Sequence, residues 1–193
     1  MVFVDSMWPW VEGRVQNLKE LIEWLTHNPG GLKLNEPLNV FLAKFFHYHI
    51  YLWQTFILVA RGLPVFPVML ASLSLGFSVF AAVVHDIVCF LTLHILCFEI
   101  YADRLGRVCT NTLLASWKLL RAKKYNPLRD RVDAVAVDGR ELFVATCIFV
   151  TVLFLLPTVA LYACVFTCLS AMVRAFKFML ELSTHFHELF YIP

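Results

Sequence analysis

Apolar residues recur at spacings of three and four near the start of the chain. They are Val11, Val15, Leu18, Ile22 and Leu25. The charged residues of this stretch lie largely elsewhere on the helical wheel, so the pattern predicts an amphipathic helix. The HNPGG sequence at 27–31 ends it, because proline cannot continue the backbone hydrogen bonding and glycines favour a turn. We therefore assign residues 1–37 to a helix and turn that could lie on a membrane, dock on a partner or pack on the rest of the chain.

Two long apolar stretches follow. Leu38–Ala60 is rich in aromatic residues, and its 23 residues are long enough for a helix to cross a hydrocarbon core of about 30 Å. Leu63–Tyr101 is too long for one crossing, and we expect it to break at the polar pair His85–Asp86. The second part of this stretch, 87–101, would be a short span, a re-entrant segment or an interfacial helix. Residues 38–102 are thus predicted to form two or three membrane segments.

A third apolar stretch, 142–173, contains Pro157 near its middle. Proline removes a backbone donor, so we expect a kinked membrane helix here, of the kind tolerated where threonine hydroxyls or neighbouring helices compensate. Residues 174–193 then read as an amphipathic juxtamembrane tail.

Ionisable side chains inside apolar segments are costly if they face lipid. They are His47, His49, His85, Asp86, His94 and Glu99. We expect them to face protein or lipid headgroups. As a rival interpretation, the last four form an intramembrane site of a lipid-modifying enzyme, although their spacing does not place them all on one helix face.

Between the second and third stretches lies a basic connection, 103–141. Its first half has the apolar periodicity of a helix, and Asn126-Pro127 predicts a turn followed by the start of another helix. The cations that we select as candidate binding residues are Lys118, Arg121, Lys123, Lys124, Arg129 and Arg131. By the positive-inside rule this loop is cytoplasmic, with its first helix at the membrane surface. The cations could in addition hold an anionic lipid headgroup or an acidic partner surface.

The composition agrees with this pattern, since 60 % of the residues are hydrophobic and only 16 % are charged. The predicted fold class is all-α, a multi-pass helical membrane protein with amphipathic interfacial helices. Three spans would put the N-terminus in the cytoplasm and four would put it in the lumen, and segment 87–101 decides between them.

Sequence motifs of catalysis are missing: the chain has no Gly-rich phosphate loop, Asp-x-Asp motif, nucleophile elbow or His-Glu-x-x-His. The polar connection is also too short for a nucleotide-sugar domain. We therefore predict no catalytic residues, metal, cofactor or nucleic-acid partner for this chain.

Four blocks, in order along the chain, carry a family resemblance. They are GLKLNEPLNVFLAKFFHYHIYLWQTFI (31–57), DIVCFLTLHILCFEIYADRL (86–105), SWKLLRAKKYNPLRDRVD (116–133) and FLLPTVALYACVF (154–166). Together they resemble the Q-subunit family of the phosphatidylinositol N-acetylglucosaminyltransferase complex.

This resemblance implies a multi-pass subunit in the endoplasmic reticulum membrane. The complex transfers GlcNAc from UDP-GlcNAc to phosphatidylinositol in the first step of GPI-anchor biosynthesis, with the catalytic glycosyltransferase in a different subunit. The Q subunit would assemble or stabilise the complex. Its partners would be the other subunits, including the catalytic one, and membrane lipid such as phosphatidylinositol. A stand-alone lipid-modifying enzyme and a small transporter or channel are the alternatives.

Overall fold

The computed structural model describes the backbone of residues 2–27, 29–60, 64–134 and 136–191. Side chains are described within these ranges apart from residues 2–8, 60, 65, 66, 124 and 183–191. Six helices and a two-stranded hairpin make up this part of the chain: α1 Val2–Thr26, α2 Glu36–Ala60, α3 Val65–Leu75, α4 Phe77–Leu91, α5 Leu93–Leu120, β1 Lys123–Asn126, β2 Arg131–Ala134 and α6 Gly139–Tyr191, with a short 3-10 turn at Pro29–Gly31. The predicted mostly helical fold is confirmed, and the hairpin is a departure from it.

The apolar face of α1 is buried as its periodicity predicts. All five stripe residues are buried, with Ile22 and Leu25 completely inaccessible. Four of them, Val15 to Leu25, pack in one cluster with the face of α2 that carries Leu42, Phe46 and Ile50. Of the three placements considered for this helix, the structure has the one in which it packs against the rest of the chain.

Aromatic rings from three helices form the centre of the core. Phe46 of α2 lies 5.0 Å from the ring centroid of Phe98 of α5 and 4.5 Å from that of Phe166 of α6. Tyr162, one turn before Phe166, stacks on Phe46 at 5.7 Å. Such offset and edge-to-face contacts between large buried rings dominate the packing energy of a core, so this cluster fixes α2, α5 and α6 relative to one another.

A buried polar network joins the ends of α1 and α2 to α6. The Tyr162 hydroxyl donates to Asn39 Oδ1 at 2.7 Å, and Asn39 Nδ2 donates to the carbonyls of Leu25 and Thr26 at 3.2 Å. Near the start of α2, the Asn35 backbone N–H donates to Thr158 Oγ1 at 3.0 Å. Because these groups are buried, each needs a partner, and the network provides partners for backbone groups at helix ends that helices leave unsatisfied.

The second apolar stretch breaks at positions other than the predicted one. His85 and Asp86 lie inside α4, so the expected break there is wrong. The helix is interrupted at Gly76, which has a φ of 125° that residues with a Cβ rarely adopt. A second interruption, at Thr92, bends α5 by 47° relative to α4. The Thr92 hydroxyl donates to the Val88 carbonyl at 2.7 Å, a bond that often bends helices.

The basic connection is only half helical. Its first half continues α5 to Leu120, as predicted, but the helix expected after Asn126-Pro127 is wrong, since this segment is an antiparallel hairpin with Asn126 opposite Arg131. Asn126 Oδ1 accepts the Leu128 N–H at 3.0 Å, and Asp130 takes a φ of 47°, which Asp tolerates. Asn-Pro is favoured both at helix starts and in turns, so it did not distinguish the two structures.

Helix α6 runs for 53 residues through Pro157 without an interruption in its helical assignment. It joins the predicted membrane helix 142–173 and most of the predicted tail in one element, while residues 192–193 lie outside the described chain. The hydroxyl of Thr158, next to Pro157, accepts a hydrogen bond from the backbone N–H of Asn35, the residue before α2. The predicted kink itself stays a prediction.

One segment of α6, Gly139–Leu182, is long and apolar enough to cross a membrane. The bent pair α4–α5 also qualifies if it is taken as one span. No other helix in the described part of the chain meets both conditions, α2 included, so the predicted multi-pass arrangement is not confirmed.

Candidate functional site

The predicted basic residues lie at one end of α5 and on the hairpin that follows it. Lys118 and Arg121 belong to the last turns of α5 and its cap, and Lys123, Arg129 and Arg131 belong to the hairpin. The backbone of Lys124 pairs opposite Asp133, while its side chain lies outside the described residues. The fold therefore gathers the candidate cations around the C-terminal end of α5.

Internal hydrogen bonds hold the hairpin. Asp133 accepts from Arg131 Nε at 2.7 Å and from Asn126 Nδ2 at 3.0 Å. The Tyr125 hydroxyl donates to Asp130 Oδ1, and this bond, which requires the protonated phenol, raises the pKa of Tyr125. Both acids of the segment thus have structural partners.

The cations differ in what they contact. Arg131 pairs with Asp133, and the Arg121 guanidinium lies 5.5 Å from the ring centroid of Trp117, within the range of a cation–π contact. Arg129 lies exposed in the hairpin turn. Lys118 and Lys123 instead line a groove, and we treat this groove as the candidate site.

The groove lies between the C-terminal part of α5, strand β1 and the first turns of α6. Its volume is about 930 Å³. Arg140 joins Lys118 and Lys123 in lining it, Glu141 is its acidic residue, and its apolar lining includes Leu114, Ala115, Leu119, Val144 and Ile148. Sequence reasoning missed Arg140 as a site residue. It lies inside the basic connection, but nothing in the pattern brought it next to Lys118, 22 positions earlier.

Glu99 forms the strongest polar contact among the predicted intramembrane residues. Arg174 of α6 donates to both of its carboxylate oxygens, at 2.7 and 2.8 Å, and the Ser170 hydroxyl donates to Oε2 at 2.5 Å. Two-point contacts of this kind are geometrically specific. Neither partner was predicted, because both lie more than 70 positions away along the chain.

The predicted histidines have separate surroundings. His85 Nε2 lies 3.2 Å from Glu181 Oε1, and the His94 ring packs at 3.9 Å on Trp53. His49 Nδ1 lies 2.9 Å from the Phe45 carbonyl oxygen, and His47 lies half-buried on α2. Asp86 is exposed. Of the four residues in the rival enzyme site, His85 lies 3.7 Å from Asp86 Oδ1, whereas Glu99 pairs with Arg174 of α6 and His94 packs on Trp53 of α2.

Among the residues that the structure describes, no group of three or more His, Cys, Asp or Glu side chains could hold a metal ion. The six cysteines are free thiols. Cys147, Cys164 and Cys168 lie exposed on α6.

The architecture defines a helical protein with at least one helix of membrane-spanning length and a basic hairpin beside a cationic groove. Comparison with known families gives the particular class: residues 6–192 match the model of the N-acetylglucosaminyl transferase component (Gpi1) family. The chain belongs to this family, which confirms the resemblance found in its four sequence blocks.

Relatives are known by name in several organisms. The chain is 39 % identical over 180 residues to the human phosphatidylinositol N-acetylglucosaminyltransferase subunit Q, a match of 92 % of this chain and 24 % of the relative. The mouse subunit Q is 37 % identical over 92 % of this chain and 31 % of its own length. The N-acetylglucosaminyl-phosphatidylinositol biosynthetic protein gpi1 of Schizosaccharomyces pombe is 30 % identical over 80 % of this chain and 24 % of its own length.

The chain therefore spans 24–31 % of the length of these relatives. No solved structure matches it.

Proposed function

We propose that this chain is a non-catalytic membrane subunit of the complex that transfers GlcNAc from UDP-GlcNAc to phosphatidylinositol in GPI-anchor biosynthesis. The observation that carries the proposal is the family match across residues 6–192, together with relatives named as subunits of this transferase. The chain assembles or stabilises the complex, and the glycosyltransferase chemistry belongs to another subunit.

The positions of the ionisable side chains support a structural role. Glu99 is held between α5 and α6 by Arg174 and Ser170, and His85 of α4 contacts Glu181 of α6. Groups committed to contacts between helices stabilise the packing of those helices. Proton transfer needs instead an acid or base within reach of a substrate proton.

We further propose that the subunit resides in the endoplasmic reticulum membrane with several membrane segments. Helix α6 supports this placement, because large apolar side chains such as Phe143, Phe154 and Met172 lie exposed along it. Exposed apolar surface of this extent is typical of contact with lipid or with another protein. The basic connection 103–141 faces the cytoplasm under the positive-inside rule and brings its cations towards other subunits and anionic lipid.

A co-purification experiment tests the subunit role. The tagged chain is isolated in mild detergent from cells that contain the complex, and the eluate is assayed for GlcNAc transfer from UDP-GlcNAc to phosphatidylinositol. We expect other subunits and transfer activity in the eluate, and no activity from the chain purified alone. Activity of the isolated chain would overturn the non-catalytic role in favour of a lipid-modifying enzyme, and elution without any subunit would overturn the assembly role.

A further inference from the structure

The groove between α5 and α6 has two chemically different parts. At the end beside the hairpin, Lys118, Lys123 and Arg140 contribute cations to its lining. Within the described part of the chain no carboxylate forms a salt bridge with any of them, in contrast to Arg131, which pairs with Asp133. Glu141 is also in the lining, and three cations against this carboxylate leave an excess of positive charge, so the arrangement favours an anion.

The other part of the groove is apolar. Leu114 on α5 and Val144 and Ile148 on α6 are among the large hydrophobic side chains that lie exposed. From Arg140 to Ile148 the helix rises by about 12 Å, close to the roughly 15 Å depth of half a hydrocarbon core. The apolar part therefore has a length suited to an acyl chain within one leaflet.

We infer that this groove binds one anionic glycerophospholipid. Its phosphate contacts Lys118, Lys123 and Arg140, and one of its acyl chains lies along Leu114, Val144 and Ile148. The inference rests on the proposed membrane location and adds a defined lipid site to it. It also separates the basic residues into two groups, because Arg121 on Trp117 and Arg129 in the hairpin turn lie outside the groove lining.

An acidic protein surface satisfies these observations less well. It would neutralise the cations and leave the apolar lining uncovered, whereas an amphiphile with a negative head and an apolar chain matches both parts. A volume of about 930 Å³ is ample for a headgroup and part of a chain.

Photolabelling of the full chain in lipid nanodiscs tests the site. The nanodiscs contain phosphatidylcholine and a trace of a phospholipid with a diazirine in its acyl chain, and the headgroup is inositol, serine or choline in parallel samples. Labelled peptides are located by mass spectrometry. We expect the inositol and serine probes to label segments 111–119 and 140–148, and the choline probe to label them far less.

Matched variants distinguish the groove from general surface charge. Lys118→Gln with Arg140→Gln removes two groove cations, and Arg121→Gln with Arg129→Gln removes the same charge outside it. We expect labelling to fall by about fivefold for each groove cation removed and to stay near the original level in the control. Ala115→Trp keeps every charge and fills the apolar part, and we expect it to reduce labelling as well. Each variant is first shown to be monodisperse with an unchanged melting temperature.

Three results would overturn the inference: equal losses in the two charge variants, unchanged labelling in Ala115→Trp, or labelling by the choline probe equal to that by the anionic probes. Equal labelling by the inositol and serine probes supports a site for anionic phospholipids as a class, and stronger labelling by the inositol probe supports phosphatidylinositol. Co-purification of other subunits is measured on the same preparations. Labelling that persists without assembly counts against the proposed function alone, and assembly without labelling counts against the groove alone.

Discussion

The hydroxyl of Tyr162 on α6 donates a 2.7 Å hydrogen bond to the side-chain oxygen of Asn39 on α2, although 123 positions separate the two residues. Both are buried, and the amide of Asn39 donates in turn to the last carbonyls of α1. Two of the sequence blocks that carry the family resemblance, 31–57 and 154–166, thus meet in one polar network.

Replacing Tyr162 with Phe tests the importance of this network for stability. The variant keeps the ring but leaves Asn39 Oδ1 without its donor in a buried position, so we expect a loss of about 1–3 kcal/mol in the free energy of unfolding. Thermal unfolding of the purified chain in detergent measures the change.

Tyr125→Phe is the matched control, because it removes the same hydroxyl from the exposed hairpin. We expect its melting temperature to fall much less than that of Tyr162→Phe, because water replaces the lost partner at an exposed site. Equal melting temperatures for the two variants would contradict a stabilising role for the Tyr162–Asn39 bond.

The ion pair between Glu99 and Arg174 predicts that reversing either charge destabilises the fold and that exchanging both restores stability. Glu99→Arg or Arg174→Glu alone places like charges together between α5 and α6, and we expect each to lower the melting temperature and the yield of folded protein. Because the pair forms at a helix–helix contact, the double exchange should recover a large part of both losses. A double variant that melts no higher than the worse of the two single variants would show that the contact does not stabilise the pairing of these helices.

The proposed orientation predicts which side of the membrane the hairpin faces. Leu128, 95 % exposed in the hairpin turn, is replaced with Cys in a chain whose native cysteines are changed to Ser. In sealed microsomes with their cytoplasmic side outward, we expect a membrane-impermeant maleimide to label this thiol without detergent. Phe154→Cys, in the apolar part of α6, is the control and should stay unlabelled in intact microsomes. Labelling of residue 128 only after permeabilisation would place the hairpin in the lumen.

Tyr125 predicts a pH dependence of the hairpin. Its pKa is raised because the phenol must stay protonated to donate to Asp130. A pKa that is higher in the folded state adds stability below the ordinary value of about 10, and this stability is lost as the pH rises through the folded-state pKa. We expect Asp130→Asn to lower the pKa of Tyr125 towards its ordinary value in an NMR titration of ¹³C-labelled tyrosine, with Tyr125→Phe identifying the signal. An unchanged pKa in Asp130→Asn would rule out the carboxylate as its cause.

The spacing of apolar residues predicts those helices that bury a single apolar face. The stripe from Val11 to Leu25 became the buried face of α1, because a helix of this kind gains stability by covering a single apolar face. The break at His85–Asp86 was wrong for a related reason: polar side chains alone do not interrupt a helix that can direct them to partners. His85 contacts Glu181, while the actual breaks depend on the backbone freedom of Gly76 and the hydroxyl of Thr92.

The sequence predicts some residues of the candidate site but not how the fold brings them together. Lys118 and Lys123 were identified from their sequence neighbourhood, but Arg140 joins them only because the hairpin returns the chain to the end of α5. The same limit applies to Glu99, whose partners Ser170 and Arg174 are brought to it by the packing of α5 against α6. Contacts between distant segments depend on tertiary packing, which a single sequence does not encode as a local pattern.

Helix α6 is also much longer than one membrane crossing requires. Its 53 residues extend for about 80 Å, whereas a bilayer with its headgroup regions is only about 40–45 Å thick. In the proposed membrane placement, roughly half of this length therefore projects beyond the bilayer or runs along its surface. Its first turns border the cationic groove, so the far end of the helix presents a separate surface to neighbouring proteins at a distance from that groove.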